Sequence, residues 1–345
     1  MFRYAATFKP FLGALCLGIA IGCSQKEPIV SNAPPPADAE PKLITVGDFS
    51  LHPPIQAGSV AIVPVSLNKT PSTQDGNFIT LAEAKKEGLV EISELGDEEV
   101  NALQVTNKGT RPLLLLGGDL LLGGKQDRIV ARDVIVPPGK TMNVEVYCVE
   151  HGRWDDRSEH FEYKDTVVPE KVRQAAAHEG QSAVWSEVDG YNAKNGAGGG
   201  SLTVMAGMGS EKVTKSVDGN LPKVLKEVGE HKNVVGFIYI RNGKLQSADL
   251  FGNPKVLDAT KNSLIRGYLS DGAAYAVEPD ATISTRVYRK FMEDILKDRD
   301  NRSKRSVAGK TGKWEAGALR GVEINGSADF GDGFVHGNYS PKSSR

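Results

Sequence analysis

The chain is poor in cysteine, with only Cys16, Cys23 and Cys148 in 345 residues. Cys16 lies inside an apolar leader and Cys23 at its end, so Cys148 has no partner and the fold cannot depend on an internal disulfide. A lone thiol of this kind is expected to be buried and inert rather than nucleophilic. Positive charge is not in excess either. Lys+Arg 42 against Asp+Glu 43 give a net charge of -1, and loss of Arg3 and Lys9 with the leader takes it to -3. That excludes the basic field needed to hold nucleic acid. There is no HExxH helix and no GxSxG elbow, which removes the commonest zinc-protease and serine-hydrolase signals. Gly309-Lys310-Thr311 has the form of the tail of a phosphate loop, but Lys304 occupies the place of its first glycine. No metal and no cofactor is expected from these patterns.

What is present begins at the amino terminus. Arg3 and Lys9 precede an uncharged run from Pro10 to Gly22, short for a bilayer span and right for a signal-peptide core. The run ends Ile19-Ala20-Ile21-Gly22-Cys23, which resembles a bacterial lipobox with Ala20 in place of the usual leucine. Cleavage after the small Gly22 would leave Cys23 to take a diacylglycerol. Its acyl chains, palmitate among them, would hold the protein on a membrane at roughly 0.8 kcal/mol per buried methylene. Residues 1–22 are therefore expected to be a lipoprotein signal peptide. Residues 23–45, with Pro34-Pro35-Pro36, are expected to be a lipidated, disordered tether. Placement in the cell envelope outside the cytoplasm follows, and Ser24 favours the outer membrane in a Gram-negative cell.

The remainder reads as α+β. Residues 46–300 form the expected globular domain, a β-rich, sandwich-like lobe to about 154 packed with an α/β lobe that holds a β-hairpin and helices. In the first lobe, 59–67, 89–92, 102–106, 112–116, 129–136 and 142–149 read as strands, and Thr80 caps a short helix ended by Gly88. In the second, helices are expected at 169–178, at 181–193 with Trp185 as a core anchor, and at 211–229 with breaks near Gly219 and Pro222. Two more are expected at 254–270 and from Ser284 through Ile295, the latter with Val287, Phe291, Ile295 and Leu296 on its apolar side. Strands 234–240 and 245–251 flank Asn242-Gly243, which tolerates positive φ and makes a tight hairpin. Residues 195–201 read as a flexible glycine insertion, 298–305 as an exposed charge run, and 301–345 as a charged loop and short-strand tail.

Candidate chemistry gathers in one place. Gln126, Asp127 and Arg128 follow a glycine-rich run, and Glu150, His151, Arg153 and Trp154 follow the strand that ends at Val149. Pairing of 129–136 with 142–149 brings Gln126, Asp127, Arg128, Glu150, Arg153 and Trp154 to one rim. Arginine grips phosphate or carboxylate bidentately, glutamate and glutamine fix ribose or amide groups, and tryptophan stacks on a base. The same residues also suit a buried structural corner, with Arg128 and Arg153 paired to Glu150 and Asp127 over Trp154. Sequence alone leaves both open.

The strings from Gly123 to Arg128, from Cys148 to Trp154 and from Ala248 to Pro254 occur in that order, with Val235-Gly236-Phe237 and Asn242-Gly243 before the last. From about Val46 to about residue 300 the chain thus resembles the ARG and Rhodanese-Phosphatase-superfamily-associated Protein domain family. That family is described mainly through association with ADP-ribosylglycohydrolase and phosphatase-like domains. The resemblance therefore implies a setting near ADP-ribose or nucleotide metabolism. The lipobox departs from that setting, since a protein outside the cytoplasm meets little NAD. The expected function is a membrane-tethered binding module for a small polar or phosphorylated ligand, or for an envelope protein, through the Arg128/Glu150/Arg153/Trp154 rim. The alternative is a hydrolase of a glycosidic or phosphoester bond, with Asp127 and Glu150 as the acid/base pair.

Overall fold

The computed structural model describes residues 43–342 apart from 70–76, 96–99, 151, 153–157, 159, 198–202, 280, 298, 300, 301, 303–306, 308 and 327–332. The expected leader, Cys23 and the tether up to residue 42 lie outside the described residues, as do His151, Arg153, Trp154 and part of the glycine insertion.

The chain opens with β1 (Ile44–Val46), β2 (Phe49–Leu51), β3 (Ile55–Ala57) and β4 (Val60–Leu67). A β-rich stretch follows: β5 (Ile79–Thr80), α1 (Leu81–Lys86), β6 (Val90–Glu94), β7 (Ala102–Asn107), β8 (Leu113–Leu115) and β9 (Asp119–Leu122). It continues through β10 (Arg128–Val130), β11 (Val134–Val136), β12 (Thr141–Cys148) and β13 (Glu162–Val167). Helices α2 (Glu170–His178), α3 (Gln181–Lys194), α4 (Val204–Met208) and α5 (Glu211–Gly229) come next. Last are β14 (Val234–Arg241), β15 (Lys244–Phe251), α6 (Pro254–Ala273), α7 (Thr285–Leu296), β16 (Thr311–Ala316), β17 (Leu319–Asn325) and β18 (Phe334–Pro341).

These elements make an α+β protein with three sheets among the described residues. The largest runs β1-β2-β4-β14-β15-β18-β17-β16, with β3 paired to β4. A second runs β13-β9-β10-β12-β7-β6, and a third, β11-β8-β5, packs against it. The α+β class holds, but the two lobes are not separated along the chain, because β4 pairs with β14 and β15 with β18.

Burial on both faces explains the unbroken apolar runs. β4 and β14 are buried at every position. Successive side chains divide between two cores. Val60, Ile62, Phe237 and Tyr239 join Leu264 and Tyr268 of α6, whereas Val63, Val65, Ile238 and Ile240 join Phe291, Met292 and Ile295 of α7. Each such side chain contributes about 1.5–3 kcal/mol relative to exposure. The third core is a sandwich filling, with Leu103, Val105, Val144 and Val146 facing Leu113, Leu115 and Val136. The hairpin forms as expected, since Asn242 and Gly243 take φ 45 and 67 between β14 and β15. Thr80 caps α1 in a full capping box with Glu83.

Several local expectations are corrected. The strand expected over 129–136 is two strands. Asp133 turns inward to accept from Gly117 N at 2.8 Å, so β10 stays with β12 while β11 leaves for β8. Helix α5 runs through Gly219 and Pro222 without a break, because Val213, Val217, Leu221, Val224 and Val228 form one buried stripe. That stripe outweighs the roughly 3 kcal/mol cost of an interior proline. Trp185 is only half-buried; the buried face of α3 is Val184, Val188 and Tyr191, one position aside. On α7, Val287 is 47 % exposed, and Tyr288 and Met292 take the core positions beside Phe291 and Ile295. In the charge run, Arg302 is not solvated. It pairs with Glu323 at 2.9 Å and lies 4.1 Å from the Trp314 ring. The short strands after residue 310 are integral to the large sheet.

Candidate functional site

The β9–β10 turn carries the residues singled out from the sequence. Gly123 and Gly124 take φ 133 and 52, and a Cβ on Gly124 would collide with the Phe161 ring and the Glu94 carboxylate. The turn delivers Arg128 opposite Cys148 in the β10–β12 register. Gln126 Nε2 donates to Glu150 O at 2.8 Å, and Asp127 N donates to Glu150 Oε2 at 3.2 Å. Asp127 accepts from Gly123 N at 3.2 Å and from Thr203 Oγ1 at 3.1 Å. The structure thus brings Gln126, Asp127, Arg128 and Glu150 together, and all four are buried. Arg153 and Trp154 lie outside the described residues.

This corner is closed rather than concave. Asp127 and Glu150 are 2 % and 5 % exposed, so neither carboxylate meets solvent as an acid or base would need. The Arg128 guanidinium is wholly buried but loosely held, 3.4 Å from Gln126 Oε1 and 3.9 Å from Glu94 Oε1. Its Nε and second terminal nitrogen make no hydrogen bond. Cys148 beside it is a buried free thiol, and burial pushes its pKa up despite the nearby Arg128.

A second constellation went unseen in the sequence. His336 on β18 is fully buried, with Nδ1 2.6 Å from Asp133 and Nε2 3.0 Å from Asp249. Each ring nitrogen faces a carboxylate, so both carry protons. Burial works against that charge, but Asp133 and Asp249 more than offset it and raise the pKa to about 9. Arg173 of α2 clamps Asp249 at 2.8 and 2.9 Å and donates Nε to Gly117 O at 2.6 Å; the Tyr268 hydroxyl of α6 also donates to Asp249. Burial opposes ionisation of Asp249, yet Arg173 and His336 hold its pKa below the usual carboxylate range. Around this centre burial pushes Asp119 and Glu170 up to about 7. The cluster joins all three sheets through Asp133, Gly117 and β18, and it is packed shut. Its work is cohesion. The available signal was polar residues at alternate positions of two largely buried strands, Ser247 and Asp249 on β15 and His336, Asn338 and Ser340 on β18.

An open site lies at the end of α2, a groove of about 840 Å³ lined by His178, Glu179, Lys313, Glu315, Arg320 and Lys342. The pleat of the large sheet builds it. Glu315 pairs with Arg320 in register, so these side chains share one face. Trp314 points to the other face, over Gly321 and against Tyr339. Arg320 bonds Glu179 at 3.0 Å and Lys342 bonds Glu315 at 2.7 Å. Lys313 forms no ion pair among the described residues, with Glu145 acting on it only from farther off, and His178 Nε2 and Arg320 Nε are buried without a hydrogen bond. Burial, then Arg320 and Lys313, lower the His178 pKa to about 4. A second concavity of about 540 Å³ has mixed walls, in which Lys261 is held by Asp258 and Glu83 bonds Thr80.

A family model described as the ARG and Rhodanese-Phosphatase-superfamily-associated Protein domain matches residues 48–339, most of the chain, and the chain belongs to that family. The match takes in β16 to β18, beyond the stretch legible as a resemblance. No curated protein and no solved structure matches the chain.

Proposed function

With this family as premise, we propose that the protein is a lipid-tethered binding module that takes a small anionic ligand in the groove at the end of α2. The observation that carries the reading is the surplus of donors there: Lys313 outside any ion pair among the described residues, and buried His178 and Arg320 nitrogens without acceptors. Buried donors left unpaired cost about 1–3 kcal/mol each, a cost that a phosphate or carboxylate would relieve. The tether rests on the leader before Cys23. No helix of the described residues is long and apolar enough to cross a membrane.

The test is thermal denaturation of the full-length protein in detergent with inorganic phosphate, sulfate, acetate and neutral sugars. Anions at 100-fold over their Kd should add about 2.7 kcal/mol, or roughly 5–10 °C in Tm. Lys313→Ala combined with Arg320→Ala should abolish the shift. Absence of any anion-dependent shift in the unaltered protein sinks the groove reading. The tether is tested by labelled palmitate, whose incorporation should vanish in Cys23→Ala; a mature protein with an unmodified residue 23 overturns it.

A further inference from the structure

The charges around the groove set what can enter it. Arg132, on the turn between β10 and β11, is paired with Glu145, which also accepts from the Tyr147 hydroxyl of β12 at 3.0 Å. Arg320 is matched by Glu179, and Lys342 by Glu315. Four cations, counting Lys313, thus meet three carboxylates, and the site carries one net positive charge while His178 is neutral. A second positive charge is available in one place only within the groove lining: the His178 ring, whose Nε2 is buried and unbonded.

Charged groups of several elements among the described residues act on that ring. They are Arg320 of β17, Lys313 and Glu315 of β16, and Arg132, with Glu179 next in the chain. Burial first, and then the excess of cations over acids around it, keep the ring neutral. An anion seated among Lys313, Arg320 and His178 reverses the balance, since it screens the cations and offers the ring an acceptor.

Resting on the groove reading, we propose that the ligand is a phosphomonoester dianion and that His178 takes up one proton as it binds. Two positive charges then face two negative ones, and every unpaired donor of the site gains an oxygen. A monoanion such as acetate or a phosphodiester leaves the second charge without purpose and binds more weakly. Proton uptake makes affinity rise with falling pH, by up to tenfold per unit while the bound ring is protonated and the free ring is not.

The experiment is isothermal titration of the full-length protein in detergent with glycerol phosphate, sulfate and acetate. It is run at pH 6.5, 7.5 and 8.5 in two buffers of different ionisation enthalpy. Sulfate is the control for the ligand's own titration, because phosphate has a second pKa near 6. Expected are uptake of up to one proton at pH 6.5 with both dianions, none with acetate, and about a tenfold loss of dianion affinity by pH 7.5–8.5. His178→Asn should keep dianion binding but flatten its pH profile and abolish the buffer dependence. Dianion binding without proton uptake, or uptake that survives His178→Asn, overturns this inference and leaves the anion groove intact. No binding of any anion in the unaltered protein overturns both.

Discussion

His336 offers a measurable handle on the folded state. Its pKa is about 9 in the fold against 6.5 for a free imidazole, so the protonated ring is held by the fold, by Asp133 and Asp249. The stabilisation is fully present below pH 6.5 and is lost as pH rises through about 9. The difference amounts to roughly 3 kcal/mol. That is a large share of the 5–15 kcal/mol that holds a typical domain together. Asp119 and Glu170 act in the same direction but lower down: their raised pKa values mean their contribution is lost between the normal carboxylate range and about 7. Between pH 7.5 and 8.5 the slope therefore belongs to His336. Nearer pH 9.5 the buried Cys148 thiol and buried tyrosines such as Tyr239 and Tyr268, whose pKa values burial raises, add a loss of the same sign. Thermal unfolding followed by circular dichroism at pH 6.5, 7.5, 8.5 and 9.5 should show this loss, with Tm falling by roughly 6–12 °C across the series. His336→Gln should be less stable at pH 6.5 and nearly flat between pH 7.5 and 8.5. Stability that holds level or rises between pH 7.5 and 9.5, or an equal slope in His336→Gln, refutes the assignment of a charged ring.

Other perturbations have smaller, separable effects. Thr80→Ala removes the capping box of α1 and should cost about 1 kcal/mol in urea unfolding. Pro222→Ala on the exposed side of α5 should stabilise by about 1–2 kcal/mol, since an amide replaces a ring inside a formed helix; a loss would mean that the helix bends there for a purpose. Gly124→Ala should cost several kcal/mol, on the order of 3, through positive φ and collision with Phe161. Arg128→Met should change stability by less than about 1 kcal/mol, because the buried guanidinium is poorly satisfied; a loss above about 3 kcal/mol would show it to be a true ion-pair partner of Glu94.

The fold was legible in the sequence wherever a signal was local. The Asn242-Gly243 turn, the Thr80 cap and the alternation of Val144, Val146 and Cys148 each depend on neighbours a few residues away. Failures came where distant residues decide. The run 129–136 looks like one strand until Asp133 is seen bonding Gly117 and His336. The residues 126–128 and 150 do converge, but whether a convergence is a rim or a sealed corner depends on what covers it, which no spacing encodes. The groove was invisible for the same reason. Its walls come from α2, β16 and β17, more than 130 residues apart in the chain.

The order of strands in the large sheet bears on how the polypeptide comes to be folded. Its first four strands are made before residue 68, yet their neighbour β14 starts at Val234, and β15 gains its outer neighbour only with Phe334–Pro341. The imidazolium that quiets Asp133 and Asp249 likewise lies 203 and 87 residues beyond them in the chain. A nascent chain stalled at residue 310 would hold two inward carboxylates with one countercharge missing, and a sheet with an unsatisfied flank. Closure of the large sheet thereby waits on residues far downstream of its first strands, a topology of high contact order that folds slowly.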